Sequence, residues 1–308
     1  VSEATVAVPP PRASALSRFG RWWANPWGRP RFLLLFTLVY LAWSIVPILI
    51  AIRFSFNEGR SRSTAQGWST RWWWGDPDLS VFHDPDLRIA LFQSLKLAGL
   101  AIAITVPLGV ALAIGLTRWR GRTATGARFV SMVPLVTPEI VMGTALLLTF
   151  VSVFTFIDLG TMAQAIGHVT FSISFVLIIV RGRLLSIGPE YEEAARDLGA
   201  TPVQALRMAL LPMLWPAIIA SAIIVFAISM DDFVVSAFLS SGSTTDTVPV
   251  KIYSNARGSP TPALNALASL TLFVTLAIAA VAFGIWKLVS LRGGGKGSAM
   301  DELARIEG

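Results

Sequence analysis

Leu210 to Met230 reads LLPMLWPAIIASAIIVFAISM, an unbroken apolar run without a charged residue, and it decides the fold class. A helix rising about 1.5 Å per residue needs roughly 20 apolar residues to cross a bilayer. Outward from this run lie five more candidates: Phe32 to Ile52, Leu97 to Leu116, Phe129 to Phe154, Met162 to Val180 and Ala263 to Trp286. Lipid gives backbone groups no water to bond, so runs of this length span as helices. The expectation is an all-α, polytopic membrane protein with six transmembrane helices. Composition agrees: 54% of the 308 residues are hydrophobic, 14% are charged, and the mean hydropathy is +0.65, outside the soluble range.

A formal charge of +7 invites a nucleic-acid reading, but its distribution gives a simpler one. Of the 25 Lys and Arg residues, 17 fall in the leading tail, the second-to-third and fourth-to-fifth connections and the trailing tail. Arg118, Arg120, Arg122 and Arg128 form one such group, and Arg181, Arg183, Arg196 and Arg207 another. By the positive-inside rule both termini are cytoplasmic. The first run carries Pro47 and is followed by Arg53 in place of a small-residue cleavage site, so it reads as a retained helix and not as a signal peptide. Trp22, Trp23, Trp27 and the triplet Trp72, Trp73, Trp74 read as interfacial anchors. With no cysteine, disulfides and thiolate chemistry are excluded.

The organisation follows as a disordered cytoplasmic tail over 1–30, a transmembrane domain over 31–290 and a second cytoplasmic tail over 291–308. Gly293 to Ser298 lacks the Lys-Ser/Thr pair of a phosphate loop and follows a helix instead of a strand. An external loop over 53–90 carries mixed charge, including Asp76, Asp84, Asp86 and Arg71. A cytoplasmic loop over 186–212 is more specific. Gly188-Pro189 opens a helix, and Glu190, Glu192 and Glu193 fill its first turn, where the helix dipole favours anions. Tyr191, Ala194 or Ala195, and Leu198 make one apolar stripe, and Gly199 reads as a left-handed cap. Thr201-Pro202 then restarts helix with a capping hydroxyl. A short helix with an acidic flank and small residues suits a protein partner better than lipid, which favours basic polar faces.

Glu193-Ala194-Ala195, Gly199 and Leu211-Pro212 resemble the EAA loop of ABC-importer permeases; Ala209 stands where that pattern usually has isoleucine. Ser55-Phe56-Asn57, Pro138-Glu139-Ile140-Val141, Gly167 to Phe171, Ser229 to Ser236 and Val248 to Ser254 are similar to the spermidine/putrescine permeases of the PotC type. The resemblance implies a type I ABC-importer permease fold in a bacterial cytoplasmic membrane and polyamine import. It further implies a paralogous second permease, two ATPase subunits and an external binding protein. ATP and Mg²⁺ would bind at the ATPase subunits, and this chain would hold no cofactor or metal. It assigns ATPase coupling to Glu193, Ala194, Ala195, Asp197, Leu198, Gly199 and Arg207. Permeases of this class that move iron, thiamine or amino-acid-like compounds leave the substrate open.

Glu139 stands out on physical grounds. Some ten residues into its span it would reach the bilayer interior, about 15 Å deep, where a carboxylate is costly and by default functional. Pro134 and Pro138 loosen the helix there. With Asp231 and Asp232 at the external end of the fifth span, Glu139 is expected to form a cation-favouring path. His168 is expected to bond a neighbour, since a lone histidine makes no metal site. A gradient-driven transporter would leave the EAA-like loop without purpose. A membrane enzyme would need clustered catalytic groups, whereas His83 and His168 lie in separate segments.

Overall fold

The computed structural model describes residues 31–61, 64–119, 121–258 and 261–292. The expectations for the leading tail with its three tryptophans, and for residues 293–308, lie outside the described residues. Residues up to Ile50 and those from Ala51 onward form two units. The first contains most of helix α1 (Arg31–Ser55), which exposes apolar side chains such as Phe36, Tyr40 and Trp43, as a helix bathed in lipid does.

In the second unit a π-helical turn (Arg71–Gly75) precedes α2 (Pro85–Arg118), α3 (Arg122–Val130), α4 (Val133–Val136), α5 (Glu139–Ser152) and α6 (Thr161–Ile187). Then come α7 (Glu190–Asp197), α8 (Pro202–Ala205), a second π-helical turn (Leu206–Leu210), α9 (Leu211–Asp231), α10 (Val234–Phe238), α11 (Val248–Arg257) and α12 (Pro262–Arg292). Every regular element among the described residues is helical. Among the described residues five helices, α1 included, are long and apolar enough to cross a membrane, and a bent pair makes a sixth if its two halves are one span.

That bent pair corrects the expected continuous third span. The run from Phe129 to Phe154 breaks twice, and the segment Arg122–Val136 meets Glu139–Ser152 at 107°. Thr137 and Pro138 are extended, with ψ of 127° and 133°. A proline cannot donate to the helix ladder and drives its predecessor out of helical geometry. Glu139 is therefore the first residue of a helix and does not lie ten residues along one.

Helix α2 starts well before its apolar run, because Asp84 accepts from the Asp86 and Leu87 backbone N–H groups and Pro85 sits at the first position. Charged Asp86, Arg88 and Lys96 hide these early turns from a search for apolar stretches. At its other end Arg128 donates to the carbonyls of Leu116, at 2.8 and 3.1 Å, and Trp119, at 2.8 Å. Those carbonyls lack intrahelical partners, and a cation there also suits the negative end of the helix.

The core is the packing of α2, α6 and α9 through Val106, Val110, Val176, Val180, Leu184 and Leu214. Helices α2 and α6 run parallel and come close at Gly109, where an added Cβ would lie 2.6 Å from the Val176 side chain. Small residues allow such approaches between membrane helices. A second cluster, at the Pro85 end of the bundle, joins the first π-turn to α2, α11 and α12. Trp72 is fully buried in it and Trp73 nearly so, while Trp74 is exposed. The first two tryptophans are thus core residues and not interfacial anchors. Asp76 holds this turn in shape by accepting from Arg71 Nε and Nη2, at 3.0 and 2.8 Å, and from the Asp78 and Leu79 N–H groups.

Gly109→Ala should lower the thermal midpoint of the detergent-purified protein. Overpacking costs about 1–3 kcal/mol against roughly 1 kcal/mol gained in helix propensity, and adding Val176→Ala should recover part of the loss. The Arg71 guanidinium, aided by the two N–H donors, holds Asp76 below its ordinary 3.8 against the opposing effect of burial. A depressed carboxylate contributes its stability above its unfolded value and loses it as pH falls through the folded one. The stability gap between wild type and Asp76→Asn should therefore be widest near neutrality and close below about pH 4. It should amount to about 1 kcal/mol or less, because Arg71 is 41% exposed.

Candidate functional site

The break before Glu139 opens a cavity of about 320 Å³ between α4, α5, α6 and the end of α9. Glu139, Asp231 and Asp232, singled out separately along the chain, line it together with Phe171, Phe175 and Phe233. Glu139 begins α5 and Asp231 ends α9. The positive end of α5 eases the cost of the Glu139 carboxylate, whereas the carbonyl end of α9 adds to the negative potential around Asp231. Neither carboxylate has a hydrogen-bond or ion-pair partner among the described residues, and both are exposed to the cavity or its mouth.

Asp232 differs from both. Its side chain is only 5% exposed. Its Oδ2 accepts from the Ser236 N–H at 2.7 Å and lies 3.3 Å from His168 Nε2, and its Oδ1 is 3.4 Å from the Val235 nitrogen. It therefore caps α10 in the manner of an N-terminal aspartate. His168 is fully buried between two hydroxyls, Ser229 Oγ at 2.7 Å from Nδ1 and Ser236 Oγ at 3.0 Å from Nε2. An ionised carboxylate offers only acceptors, so Asp232 is matched by the Nε2 side of the ring in the tautomer that has its N–H there.

Next to this cluster, Gln93 donates to Gln164 Oε1 at 2.8 Å, and Gln164 donates to the carbonyls of Ser236 and Thr245, both at 2.9 Å. Buried polar groups need such complete pairing. Beyond the expectation that His168 bonds a neighbour, single residues gave no signal for this network, since its partners lie 61 to 81 positions apart. The usable signal was the polar content of apolar runs: Gln164, His168, Ser229 and Ser236 interrupt stretches that lipid alone would not interrupt.

At the Arg118 end, α7 carries Glu193, Ala194, Ala195 and Asp197, followed by Leu198 as cap residue and Gly199 at φ +88°. None of the α7 residues is buried, and Leu198 is 90% exposed. Tyr191, Val203 and Met208 are exposed beside it. The expected apolar stripe therefore has no partner within the described chain. Thr201 and Gln204 form a reciprocal capping box, and Arg207 lies exposed on the following π-turn. Arg118 grips Glu192 at 2.6 Å. A cavity of about 600 Å³ lies under the helix, lined by Thr117, Arg118, Glu192, Glu193, Arg196 and Leu210 among others.

The sequence pattern of binding-protein-dependent transport system inner membrane components matches residues 105–292. The chain belongs to that family. The permease is 35% identical over 271 residues to the putrescine transport system permease protein PotI of Escherichia coli K12, spanning 86% of this chain and 92% of the relative. It is 36% identical over 243 residues to the spermidine/putrescine transport system permease protein PotC of the same strain, spanning 78% and 88%. Its fold is similar to a chain in the crystal structure of a bacterial ABC transporter involved in the import of the acidic polysaccharide alginate. There the TM-score is 0.69 at 17% identity, over 88% of this chain and 97% of that one. The permease is thus a multi-pass transport subunit with the ABC-importer fold.

Four of the five segments that carry the polyamine-permease resemblance meet at or beside this site, while Ser55-Phe56-Asn57 lies apart from it, with Phe56 stacked on Trp73. Of the four, Glu139 comes from the first, His168 and Phe171 from the second, and Ser229, Asp231, Asp232, Phe233 and Ser236 from the third. The fourth, on α11, packs behind Asp231 and Phe233. His168→Leu should lower the thermal midpoint by the equivalent of about 2–3 kcal/mol, as expected when a buried carboxylate loses a hydrogen-bond donor. Asp232→Asn keeps a capping acceptor and should cost less, and differential scanning of the two purified variants checks the order.

Proposed function

We propose that the permease admits polyamines of the putrescine and spermidine class as one half of the translocation path of an ATP-driven importer. The observation that carries this reading is the pair of unpartnered carboxylates, Glu139 and Asp231, facing one aromatic-lined cavity at a helix break. An extended polycation entering it exchanges water for charge-assisted bonds and ring faces. Two carboxylates without fixed counter-ions favour cations over neutral or anionic solutes, and each holds only one ammonium group, so release stays possible. Asp232 contributes by position, anchoring the turn on which Asp231 sits.

The rest of the assembly is a paralogous permease, two ATPase subunits that bind ATP and Mg²⁺, and an external binding protein. The basic Arg118 end, with both chain termini, faces the cytoplasm of a bacterium, and the Pro85 end faces outward. Helix α7 docks into an ATPase subunit through Glu193, Ala194, Ala195, Asp197, Leu198, Gly199 and Arg207. Its uncovered apolar stripe and small residues suit close approach by a protein surface. ATP-driven closure of the ATPase pair then moves α7, and the helices above rock between inward- and outward-facing states.

The whole assembly reconstituted in proteoliposomes, with labelled putrescine and spermidine, tests both parts. Glu139→Gln should raise the KM for uptake on the order of tenfold, the worth of one charge-assisted contact, while complex assembly is retained. Glu193→Ala and Gly199→Val should abolish substrate-stimulated ATP hydrolysis without altering the binding protein's affinity. Wild-type uptake by Glu139→Gln removes the cation path, and coupled transport in both α7 variants removes the coupling role.

A further inference from the structure

The cavity of about 600 Å³ at the Arg118 end separates α7 from the helices above it, with Ile114 of α2 and Leu184 of α6 on one side and Glu193 and Arg196 of α7 on the other. One side-chain bond bridges this space. Arg118, the last residue of α2, and Glu192 both line the cavity, and Arg118 Nη2 meets Glu192 Oε2 at 2.6 Å. Among the described residues α7 makes no other side-chain hydrogen bond or ion pair, and none of its residues is buried.

The other membrane helices of the core reach α7 by different routes. Helix α6 passes into it through Gly188, at φ +76°, and Pro189. Along its side α7 leans on the second π-turn, which leads directly into α9. Helix α2 has no such route, because the chain leaves Arg118 toward α3. Across an unpacked gap a push closes the space before it moves the neighbour, since dispersion and repulsion act only at contact distances. The Arg118 bond spans the gap. Arg128 already covers the Leu116 and Trp119 carbonyls, so the Arg118 side chain is not needed as a cap and extends to α7. Roughly 37 Å away, at 1.5 Å per residue, the same helix carries Gln93, which donates to Gln164 beside the carboxylate cavity.

We propose that the Arg118–Glu192 pair is a strut through which motion of α7 reaches α2, making both residues positioning residues for the coupling of ATP hydrolysis to transport. The strut rests on the reading of α7 as the helix that docks the ATPase subunit. With side chains 44% and 21% exposed, the pair adds little to the stability of the fold. Its effect is directional. A glycine with no Cβ lets the chain swivel where α6 ends, and a second attachment at Glu192, about one helical turn further on, stops α7 from rotating there in place of carrying α2 with it.

The reconstituted complex, supplied with its binding protein, tests the strut through the number of ATP molecules hydrolysed per putrescine imported. Arg118→Glu and Glu192→Arg should each raise that ratio about two- to fivefold, the Boltzmann weight of a partly exposed ion pair lost from the coupling. The KM for putrescine and the thermal midpoint of the detergent-purified permease should stay close to wild type. The double variant Arg118→Glu/Glu192→Arg rebuilds the pair in reverse and should return the ratio toward wild type. Should charge reversal block assembly, Arg118→Met and Glu192→Gln remove the bond at similar volume and should raise the ratio in the same direction. An unchanged ratio in whichever single variants assemble overturns the strut. So does a double variant no better than the singles, the result expected if Glu192 pairs with a basic residue of the ATPase subunit instead. With Glu193→Ala and Gly199→Val uncoupled in parallel, either result leaves the docking role of α7 standing. If those two variants also transport normally, the coupling reading itself falls.

Discussion

A proline without an N–H, placed where a membrane helix would otherwise continue, is the constraint on which the rest of the permease depends. Thr137-Pro138 stops one helix and starts another at 107°, and the wedge left between them is the cavity. The same break turns Glu139 from a residue on a helix flank into the first residue of α5, where the helix dipole favours its charge. An unbroken helix would have neither the space nor the favourable terminus. The polar cluster on α6 and α9 then has a surface to define, in place of a sealed core.

The adjacent aspartates on α9 show how neighbouring residues of one type acquire different duties. Asp232 is tied to His168, to Ser236 and to the start of α10, so its geometry is fixed and its bonding capacity largely used. Asp231, one residue earlier, has no such ties and opens onto the cavity. Rigidity in the first positions the second. This division of labour depends on a histidine buried among hydroxyls, an arrangement tolerable in an apolar setting only because each polar atom meets another.

Much of the architecture was legible in the sequence because lipid imposes so simple a rule: charge-free runs of sufficient length become helices. The run from Leu210 to Met230 became α9 nearly residue for residue. Where charged residues continue a helix past the apolar band, as Asp86, Arg88 and Lys96 do in α2, the rule is silent. It misled at Phe129 to Phe154, where composition satisfied the length requirement although two prolines forbade one axis. The cap at Gly199 and the Thr201 hydroxyl were readable, since each acts within one turn of chain. The split between Asp231 and Asp232, and the burial of Trp72 and Trp73, were not: both arise from segments far apart in the chain that meet only after folding.

The parallel pairing of α2 and α6 has a mechanical consequence. The two helices are pinned near one end by the glutamines that also hold the Ser236 and Thr245 carbonyls and in the middle by the tight meeting of Gly109 and Val176. At the other end Arg118 ties α2 to α7, which follows directly from α6. Such a doubled rod resists bending far better than either helix alone. A displacement applied at its foot would therefore be carried along the whole length of the pair toward the frame around the carboxylates.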